Sequence, residues 1–381
     1  MRYPLSSMAL ASLLVIGVAC TENDTKSEAG SLKVRSTDTA CELSRTEASS
    51  GNIVFEVTND GSQVTEFYVL AQDGLRIVGE VENVGPGISR NLVVQAAPGT
   101  YITACKPGMV GDGIRAAFTV TDSGKEVASG DVAELLTTAT DQYRLYVRDQ
   151  VAQLVTKTQE FADLYVAGSD DEARALYANA RMHWERIEPV AESFGDLDPK
   201  LDLREADLEA GQSWTGWHAI EKDLWPPADG YTALTTAERT ALADQLVADT
   251  TDLSTRVQDL TYNAAQLGNG AKELLDEVAT GKVTGEEEIW SHTDLWDFQA
   301  NVDGARIAFE NLQPALEKKN PALATKLAAR FDTLQALLDQ HVEGDGFVLY
   351  TDLTPSEVKA LADAVNALSE PLAELTAAVV L

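Results

Sequence analysis

Between residues 32 and 120, short apolar runs alternate with turn residues. Four runs rich in β-branched and aromatic residues stand out, at 52–58, 66–70, 90–94 and 116–121. Gly, Pro, Asn and Asp separate them, as in the Pro98-Gly99 pair. Short strands divided by turn residues are typical of small all-β domains. The pattern therefore predicts a β-sandwich or barrel in this region.

Beyond residue 131 the apolar positions follow a helical period. Val147, Leu154 and Phe161 recur at seven-residue spacing, which is typical of a helix with one buried stripe. Further helices are predicted near 171–192, 206–224, 236–266, 270–280, 293–311, 321–343 and 355–378. Breaks are predicted at Pro189 and at residues 268–270, among others. About eight helices of this length form one large bundle or two fused four-helix bundles.

The change of pattern divides the chain. Residues 123–131, rich in Ser, Gly and acidic side chains, are predicted to be a linker. The predicted domains are therefore a β domain over 32–122 and a helical domain over 132–381. A chain of 381 residues is long enough for both to bury a core.

The N terminus has the pattern of an export signal. Residues 1–19 combine a positive start with an apolar stretch at 8–18, which is too short to span a bilayer. Cys20 follows Gly17-Val-Ala, which resembles a lipoprotein processing site, although Leu is preferred at position 17. We predict lipidation of Cys20, a flexible tether over 20–31, and an extracytoplasmic protein anchored to the cytoplasmic membrane, in the periplasm or at the cell surface. A plain secreted protein without lipid is the alternative.

Acidic residues dominate the charge. The sequence has 61 Asp and Glu against 29 Lys and Arg, a net charge of −32. Nucleic-acid binding is excluded as a main activity, because it needs clustered basic residues. The excess acid is interpreted either as a solvated surface or as a field that concentrates cations.

A candidate metal site follows from the spacing of His218 and Glu221. Residues i and i+3 of a helix lie on nearly the same face, roughly 4.5 Å apart along the axis, so both can reach one ion. Glu185 and Glu188 repeat this spacing upstream, and Asp202 lies on the connection between the two segments. If the helices pack antiparallel, these five groups form an oxygen-rich site with one nitrogen, suited to iron, manganese or zinc. The alternative is a helical histidine hydrogen-bonded to its neighbouring glutamate.

Two further residues are candidates for supporting roles. Arg204, close to Asp202, is interpreted as a partner that orients a carboxylate, or else as half of a surface ion pair. Asp294, with His292 and Asp297, is interpreted as lining the site from another bundle, or else as capping a helix.

Four blocks of the helical region resemble a known family. They are ERIEPVAESFGDLD at 185–198, DLR at 202–204, WTGWHAIEKDLW at 214–225 and SHTDLWDFQANV at 291–302. These blocks resemble the EfeO/EfeM imelysin-like family, and the segment before them resembles the cupredoxin-like domain of EfeO-type members. The resemblance implies a multidomain protein, with an N-terminal cupredoxin-like β-sandwich followed by an imelysin-like helical domain of two fused four-helix bundles.

The same resemblance implies a function. Members of this family are expected to be extracytoplasmic iron-binding components of an Efe-type iron uptake system. The implied protein captures Fe²⁺ or Fe³⁺ at a site that includes the His-x-x-Glu motif and passes it to a membrane permease. A haem-peroxidase-like protein is the other implied partner. Zinc and copper are alternative metals.

The remaining cysteines allow two predictions. If Cys20 carries lipid, Cys41 and Cys105 form one pair in an exported protein, and an oxidising compartment favours a disulfide. Closing about 64 residues would stabilise the fold by roughly 4 kcal/mol on a chain-entropy estimate. The family resemblance implies instead a second metal site made of Cys41, Glu66 and Cys105. A blue-copper centre is not expected, because no histidine precedes His183.

Two enzymatic functions are alternatives to a transport component. A ferroxidase or cuproprotein would use the β domain to oxidise Fe²⁺, and a metallopeptidase would be an imelysin-type alternative. The sequence contains no His-Glu-x-x-His and no Gly-x-Ser-x-Gly motif. We therefore predict a metal-binding protein rather than an enzyme.

Overall fold

The computed structural model describes residues 30–124, 130–208 and 211–381. The predicted signal peptide, Cys20 and most of the predicted tether lie outside the described residues, as do residues 125–129 of the predicted linker. Residues 31–381 belong to one unit. Within the described ranges, no helix combines the length and apolar character needed to cross a membrane.

The N-terminal part is a sandwich of two sheets. Its strands are β1 Leu32–Ser36, β2 Cys41–Leu43, β3 Glu47–Ser49, β4 Gly51–Asn59, β5 Thr65–Leu70, β6 Ile77–Val84, β7 Ser89–Ala96, β8 Gly99–Cys105 and β9 Ile114–Thr121. One sheet has the order β2-β1-β4-β7 and the other β3-β9-β8-β5-β6. The predicted β domain is confirmed. The four runs that the sequence indicated correspond to β4, β5, β7 and β9, and the other five strands are additional.

The core of the sandwich lies between the two sheets. Phe55 of β4 contacts Phe67 of β5 and Phe118 of β9, with ring centroids 5.3 and 5.5 Å apart. Burying each ring contributes about 2 kcal/mol. A disulfide between Cys41 on β2 and Cys105 on β8 joins the two sheets covalently.

The C-terminal part is helical, as predicted. Its helices are α1 Asp131–Ala167, α2 Asp170–Glu185, α3 Asp198–Leu201, α4 Trp217–Leu224, α5 Thr236–Arg256, α6 Ala264–Thr280, α7 Asp294–Lys319, α8 Pro321–Leu338, α9 Pro355–Leu372 and α10 Leu375–Val380. Helices α6 to α9 pack as a four-helix bundle, while α2 and α5 pack on α1. Helix α7 also contacts α1 and α2, so it connects the two groups.

Several helix predictions are wrong in their boundaries: the helix predicted over 171–192 ends at Glu185, and that over 236–266 ends at Arg256. The helix predicted over 206–224 is helical only from Trp217, after an irregular connection. The break predicted at residues 268–270 is absent, because these residues lie inside α6. Gly270 is needed there for close packing, since a Cβ atom would lie 1.7 Å from the carbonyl oxygen of Pro189.

Helix α6 packs across the edge strands β6 and β7 of the two sheets. Asn269 donates from Nδ2 to the carbonyl of Val93 at 2.9 Å, and Asn263 donates to that of Gln95 at 3.3 Å. A helix that covers exposed strand edges protects them from pairing with other chains. This packing also places β6 beside the 3-10 segment Glu188–Leu197.

Candidate metal centre

The connection before α4 places His218 deep in the helical domain. Gly216 has a positive φ of 87°, and a Cβ atom there would lie 2.2 Å from the carbonyl oxygen of Leu201. The chain can therefore pass directly over the end of α3. Trp217 is fully buried against Phe161, which fixes the start of α4. His218 follows and is only 1% exposed.

Four carboxylates surround the imidazole of His218. Its Nε2 lies 3.4 Å from Oδ1 of Asp202 and 3.5 Å from Oε1 of Glu287. Its Nδ1 lies 3.4 Å from Oε2 of Glu221 and 3.8 Å from Oε1 of Glu288. We call these five residues the His218 cluster. On each side of the ring, the ligand atoms of three residues lie within 4.8 Å of one another, close enough to hold one ion.

The loop before α7 is held in place by the cluster itself. Glu221 accepts a hydrogen bond at Oε1 from the amide of Ser291, at 2.8 Å. The hydroxyl of Ser291 donates to Oε2 of Glu288 at 2.9 Å, and Asp294 accepts at Oδ1 from the amide of Glu288 at 3.1 Å. Glu221 therefore holds the loop through one oxygen while the other faces His218.

A buried arginine lies at the centre of the acidic residues. Arg181 of α2 is fully buried. Its guanidinium contacts five carboxylates: Glu288 at 2.7 Å, Glu185 at 2.8 Å, Glu287 at 3.0 Å, Asp297 at 3.2 Å, and Asp202. Five donors in a planar fork suit an arginine to several carboxylates at once. Arg181 thus holds together side chains from four separate segments.

Glu185 and Glu188 lie on the other side of Arg181. Lys282 binds both, with Nζ 2.9 Å from Oε2 of Glu185 and 2.8 Å from Oε2 of Glu188. Asn301 donates to the same two oxygens at 2.9 and 2.6 Å. The predicted five-residue set is therefore divided: Asp202 and Glu221 surround His218, whereas Glu185 and Glu188 surround Lys282. Glu185 follows Arg181 by one helical turn and pairs with it.

The charges of the cluster are strongly coupled. Burial opposes ionisation, yet Arg181 and His218 hold the pKa of Asp202 well below its usual value. Burial likewise opposes ionisation of Glu287, yet Lys282 and His218 lower its pKa to about 2. Burial would lower the pKa of His218, but the carboxylates of Asp202, Glu221 and Glu287 raise it well above the usual value. The imidazolium, Arg181 and Lys282 thus balance part of the negative charge.

The pKa of one carboxylate of the cluster, Glu288, is raised rather than lowered. Burial and the neighbouring Glu221 raise the pKa of Glu288 well above its usual value, despite the opposing effect of Arg181. The hydroxyl of Tyr177 donates to Oε1 of Glu288 at 3.2 Å. Glu288 is therefore the carboxylate of the cluster that most readily holds a proton.

The donor set fits a hard or borderline metal ion. One imidazole with several carboxylates suits iron, manganese or zinc. Nε2 of His218 is buried without a hydrogen-bond partner among the described residues. A buried polar atom without a partner is costly, and coordination of a cation would satisfy it. A metal needs the neutral imidazole, so binding would release the proton of His218.

The two predicted supporting residues act on residues that the sequence did not indicate. Arg204 lies 3.5 Å from Oε2 of Glu287 and also pairs with Glu286 and Asp207, rather than with Asp202. Asp294 positions Glu288 through its amide, as described above.

Sequence reasoning missed Glu287, Glu288, Arg181 and Lys282. The acidic run at 286–288 lies just before the 291–302 block, and this proximity was the available signal. Arg181 and Lys282 are isolated basic residues without any motif.

The predicted second metal site in the β domain is not formed in the structure. The sulfurs of Cys41 and Cys105 are bonded to each other, which is the disulfide alternative, and so they offer no thiolate to a metal. Glu66 accepts a hydrogen bond from the hydroxyl of Tyr68 at 2.7 Å and lies 3.7 Å from Nζ of Lys106.

Fold and site together define a class of protein: a cupredoxin-like β domain joined to an imelysin helical domain with a buried histidine–carboxylate cluster. The imelysin family model matches residues 139–375, and the cupredoxin-like domain model matches residues 9–120. The chain belongs to the EfeO/EfeM imelysin-like family, which confirms the resemblance inferred from the sequence blocks.

Curated relatives cover nearly the whole chain. The sequence is 38% identical over 347 residues to the iron uptake system component EfeO of Escherichia coli O157:H7, which covers 90% of both chains. Identity to the EfeO proteins of Escherichia coli K12 and Shigella flexneri is 37%, with the same coverage.

One solved structure shares the fold. It is a protein described as an iron-regulated protein A precursor, from Parabacteroides distasonis, with a TM-score of 0.50 and 16% identity. The match covers 67% of this chain and 96% of that chain.

Proposed function

We propose that this protein is the extracytoplasmic iron-binding component of an Efe-type iron uptake system. It captures iron at the His218 cluster and passes it to a membrane permease. The observation that carries this proposal is the burial of one imidazole among four carboxylates within 3.8 Å of its ring nitrogens. In this proposal iron is the cargo of the protein.

The internal cations allow the cluster to bind iron reversibly. Carboxylates buried without partners would destabilise the fold, and Arg181 and Lys282 stabilise them before iron arrives. An entering iron ion displaces the proton of His218 and competes with Arg181 for Asp202, Glu287 and Glu288. Part of the gain in coordination is therefore offset by lost ion pairs. Such compensation favours release of iron to the next component.

The relatives support this proposal, because proteins matching 90% of the chain are iron uptake system components. We further propose a haem-peroxidase-like partner, and a lipid on Cys20 that holds the protein at the outer face of the cytoplasmic membrane, where the permease lies.

The enzymatic alternatives have less support. A ferroxidase that used copper in the β domain would need thiolate ligands there, and the sulfurs of Cys41 and Cys105 are bonded to each other. A peptidase needs a site that a polypeptide can reach, whereas His218 is 1% exposed and Arg181 fills the centre of the carboxylates.

A pair of histidine variants tests the proposal. We expect His218→Ala to weaken binding of Fe²⁺, titrated anaerobically by calorimetry, at least tenfold, because a ligand is lost. His183→Ala is the matched control, since His183 is also buried in the helical domain but bonds to Gln150 at 2.9 Å. Equal affinity of His218→Ala and wild type would contradict the proposal, as would a loss of binding in His183→Ala alone.

A further inference from the structure

A second acidic region lies between the β domain and the helical domain. A cavity of about 290 Å³ is bounded by β6, the segment Glu188–Leu197 and α6. Ten of its lining residues are acidic and one, Arg204, is basic. The two domains thus meet around a space lined mainly by carboxylates.

Six of these carboxylates form no ion pair, and no hydrogen bond to another residue, within the described part of the chain; they are Glu80, Glu82, Glu192, Asp198, Glu273 and Glu277. Glu80 is only 4% exposed. It pairs in register with Tyr68 on β5, whose side chain also lines the cavity. A carboxylate without a partner is therefore buried at the cavity wall.

Such an arrangement is unfavourable unless protons or a bound cation neutralise the buried carboxylates. Buried charges are ordinarily paired or bound to metals. Burial and like charges, Glu66 among them, raise the pKa of Glu82 to about 8. Burial also raises the pKa of Glu192 to about 7. The chain nevertheless supplies carboxylates from the sheet and from the helices to the same space.

We propose that this cavity is a second cation site, which binds a hard multivalent cation through oxygen ligands from Glu80 and Glu82 of the sheet and Glu192 and Glu273 of the helical domain. Oxygen-only donor sets suit hard cations, and a site lacking imidazole and thiolate selects against softer metals. The cavity volume accommodates a cation with several of its water molecules.

The second site adjoins the His218 cluster. Asp202 and Glu287 belong to the cluster and also line the cavity. A cation held in the cavity would therefore lie next to the proposed iron site. The carboxylates of the second site would attract any hard cation. Only the identification of that cation as iron cargo rests on the proposed function.

Counting bound Tb³⁺ tests the second site. Tb³⁺ alone is dialysed against the full chain at pH 7.5, and bound metal is measured per chain. We expect two Tb³⁺ ions in wild type, one in Glu80→Gln/Glu273→Gln, and one in His218→Ala/Glu221→Gln. The control Glu47→Gln/Glu310→Gln removes the same charge from exposed positions and should keep two. Competition by Ca²⁺ and by Fe²⁺ then distinguishes a structural cation from the cargo.

The two proposals fail in different ways. Two bound ions in Glu80→Gln/Glu273→Gln and in a second variant, Glu82→Gln/Glu192→Gln, would overturn the cavity site. The cavity site would also be overturned if wild type bound only one Tb³⁺ ion and His218→Ala/Glu221→Gln bound none. That result would still support the His218 cluster. If only the cavity variants lost bound Tb³⁺, the result would support the cavity site and contradict the His218 cluster as a metal site. Circular dichroism verifies folding, which neutralising these carboxylates should not weaken.

Discussion

The His218 cluster and the cavity beside it are both rich in acidic residues but balance their negative charge differently. In the cluster, Arg181 and Lys282 contact the carboxylates, and the pKa values of Asp202 and Glu287 are lowered despite burial. In the cavity, six carboxylates form no ion pair with any of the described residues, and burial raises the pKa of Glu82 to about 8. Built-in cations therefore keep part of the cluster ionised before a metal arrives. The cavity depends on protons or on a cation from outside.

Among the predicted effects, the largest is the loss of folding stability when Arg181 is replaced. We expect Arg181→Met to lower the free energy of unfolding by about 3–5 kcal/mol, because buried carboxylates lose their partner. Urea unfolding without added metal measures this loss, and saturating Mn²⁺ should restore part of it. Arg306→Gln is the control, since Arg306 pairs with the largely exposed Asp332 and should change stability by less than about 1 kcal/mol. An equal effect of the two variants would show that Arg181 does not balance the cluster.

The second prediction is that the cavity and the His218 cluster contribute oppositely to the pH dependence of folding stability. The folded pKa values of Glu82 and Glu192, about 8 and about 7, exceed the ordinary value of 4.5. Between these limits the folded state binds more protons than the unfolded state, so stability falls as pH rises from about 4.5 to 8. Glu287 has the opposite sign, since its pKa of about 2 makes stability fall as pH drops from about 4.5 to 2.

Thermal unfolding across pH tests this difference. We expect the melting temperature of Glu82→Gln/Glu192→Gln to fall less than that of wild type between pH 5 and 8. The loss below pH 4.5 should stay unchanged, because Glu287 is intact. A variant that loses stability between pH 5 and 8 as steeply as wild type would contradict the raised pKa values of the cavity.

The smallest predicted effect is the change in Fe²⁺ affinity when Arg204 is replaced. Arg204 borders the cavity and contacts Glu287 at 3.5 Å, but its side chain is 27% exposed. Solvent weakens such a contact, so we expect Arg204→Gln to change Fe²⁺ affinity by less than about threefold. Calorimetric titration measures this change, and a tenfold loss would mean that Arg204 is as important as the ligands.

Local patterns were sufficient for much of the fold. The runs around Phe55 and Phe67 predicted strands, and the spacing of Val147, Leu154 and Phe161 predicted a buried helical stripe. The glycines at 268 and 270 were interpreted as a helix break. Gly270 instead allows α6 to pack closely against the backbone of Pro189, and such a contact has no signature in the local sequence.

The candidate site was predictable only where its residues share one segment or a family block. His218 and Glu221 lie one turn apart on α4, and Asp202 lies in a matched block. Glu287 and Glu288 reach the imidazole from a loop about 70 residues away, and their acidic run resembles a solvated surface. Lys282 lies just after α6 and pairs with Glu185 of α2. Such a pairing between distant parts of the chain depends on tertiary packing rather than on local spacing.

Pulsed electron paramagnetic resonance of the Mn²⁺-loaded protein tests the central claim most directly, because it detects nitrogen bound to the metal. We expect coupling to one imidazole nitrogen, present in wild type and in His183→Ala and lost in His218→Ala. A wild-type spectrum without nitrogen coupling, or coupling that persists in His218→Ala, would contradict a metal centre built on His218.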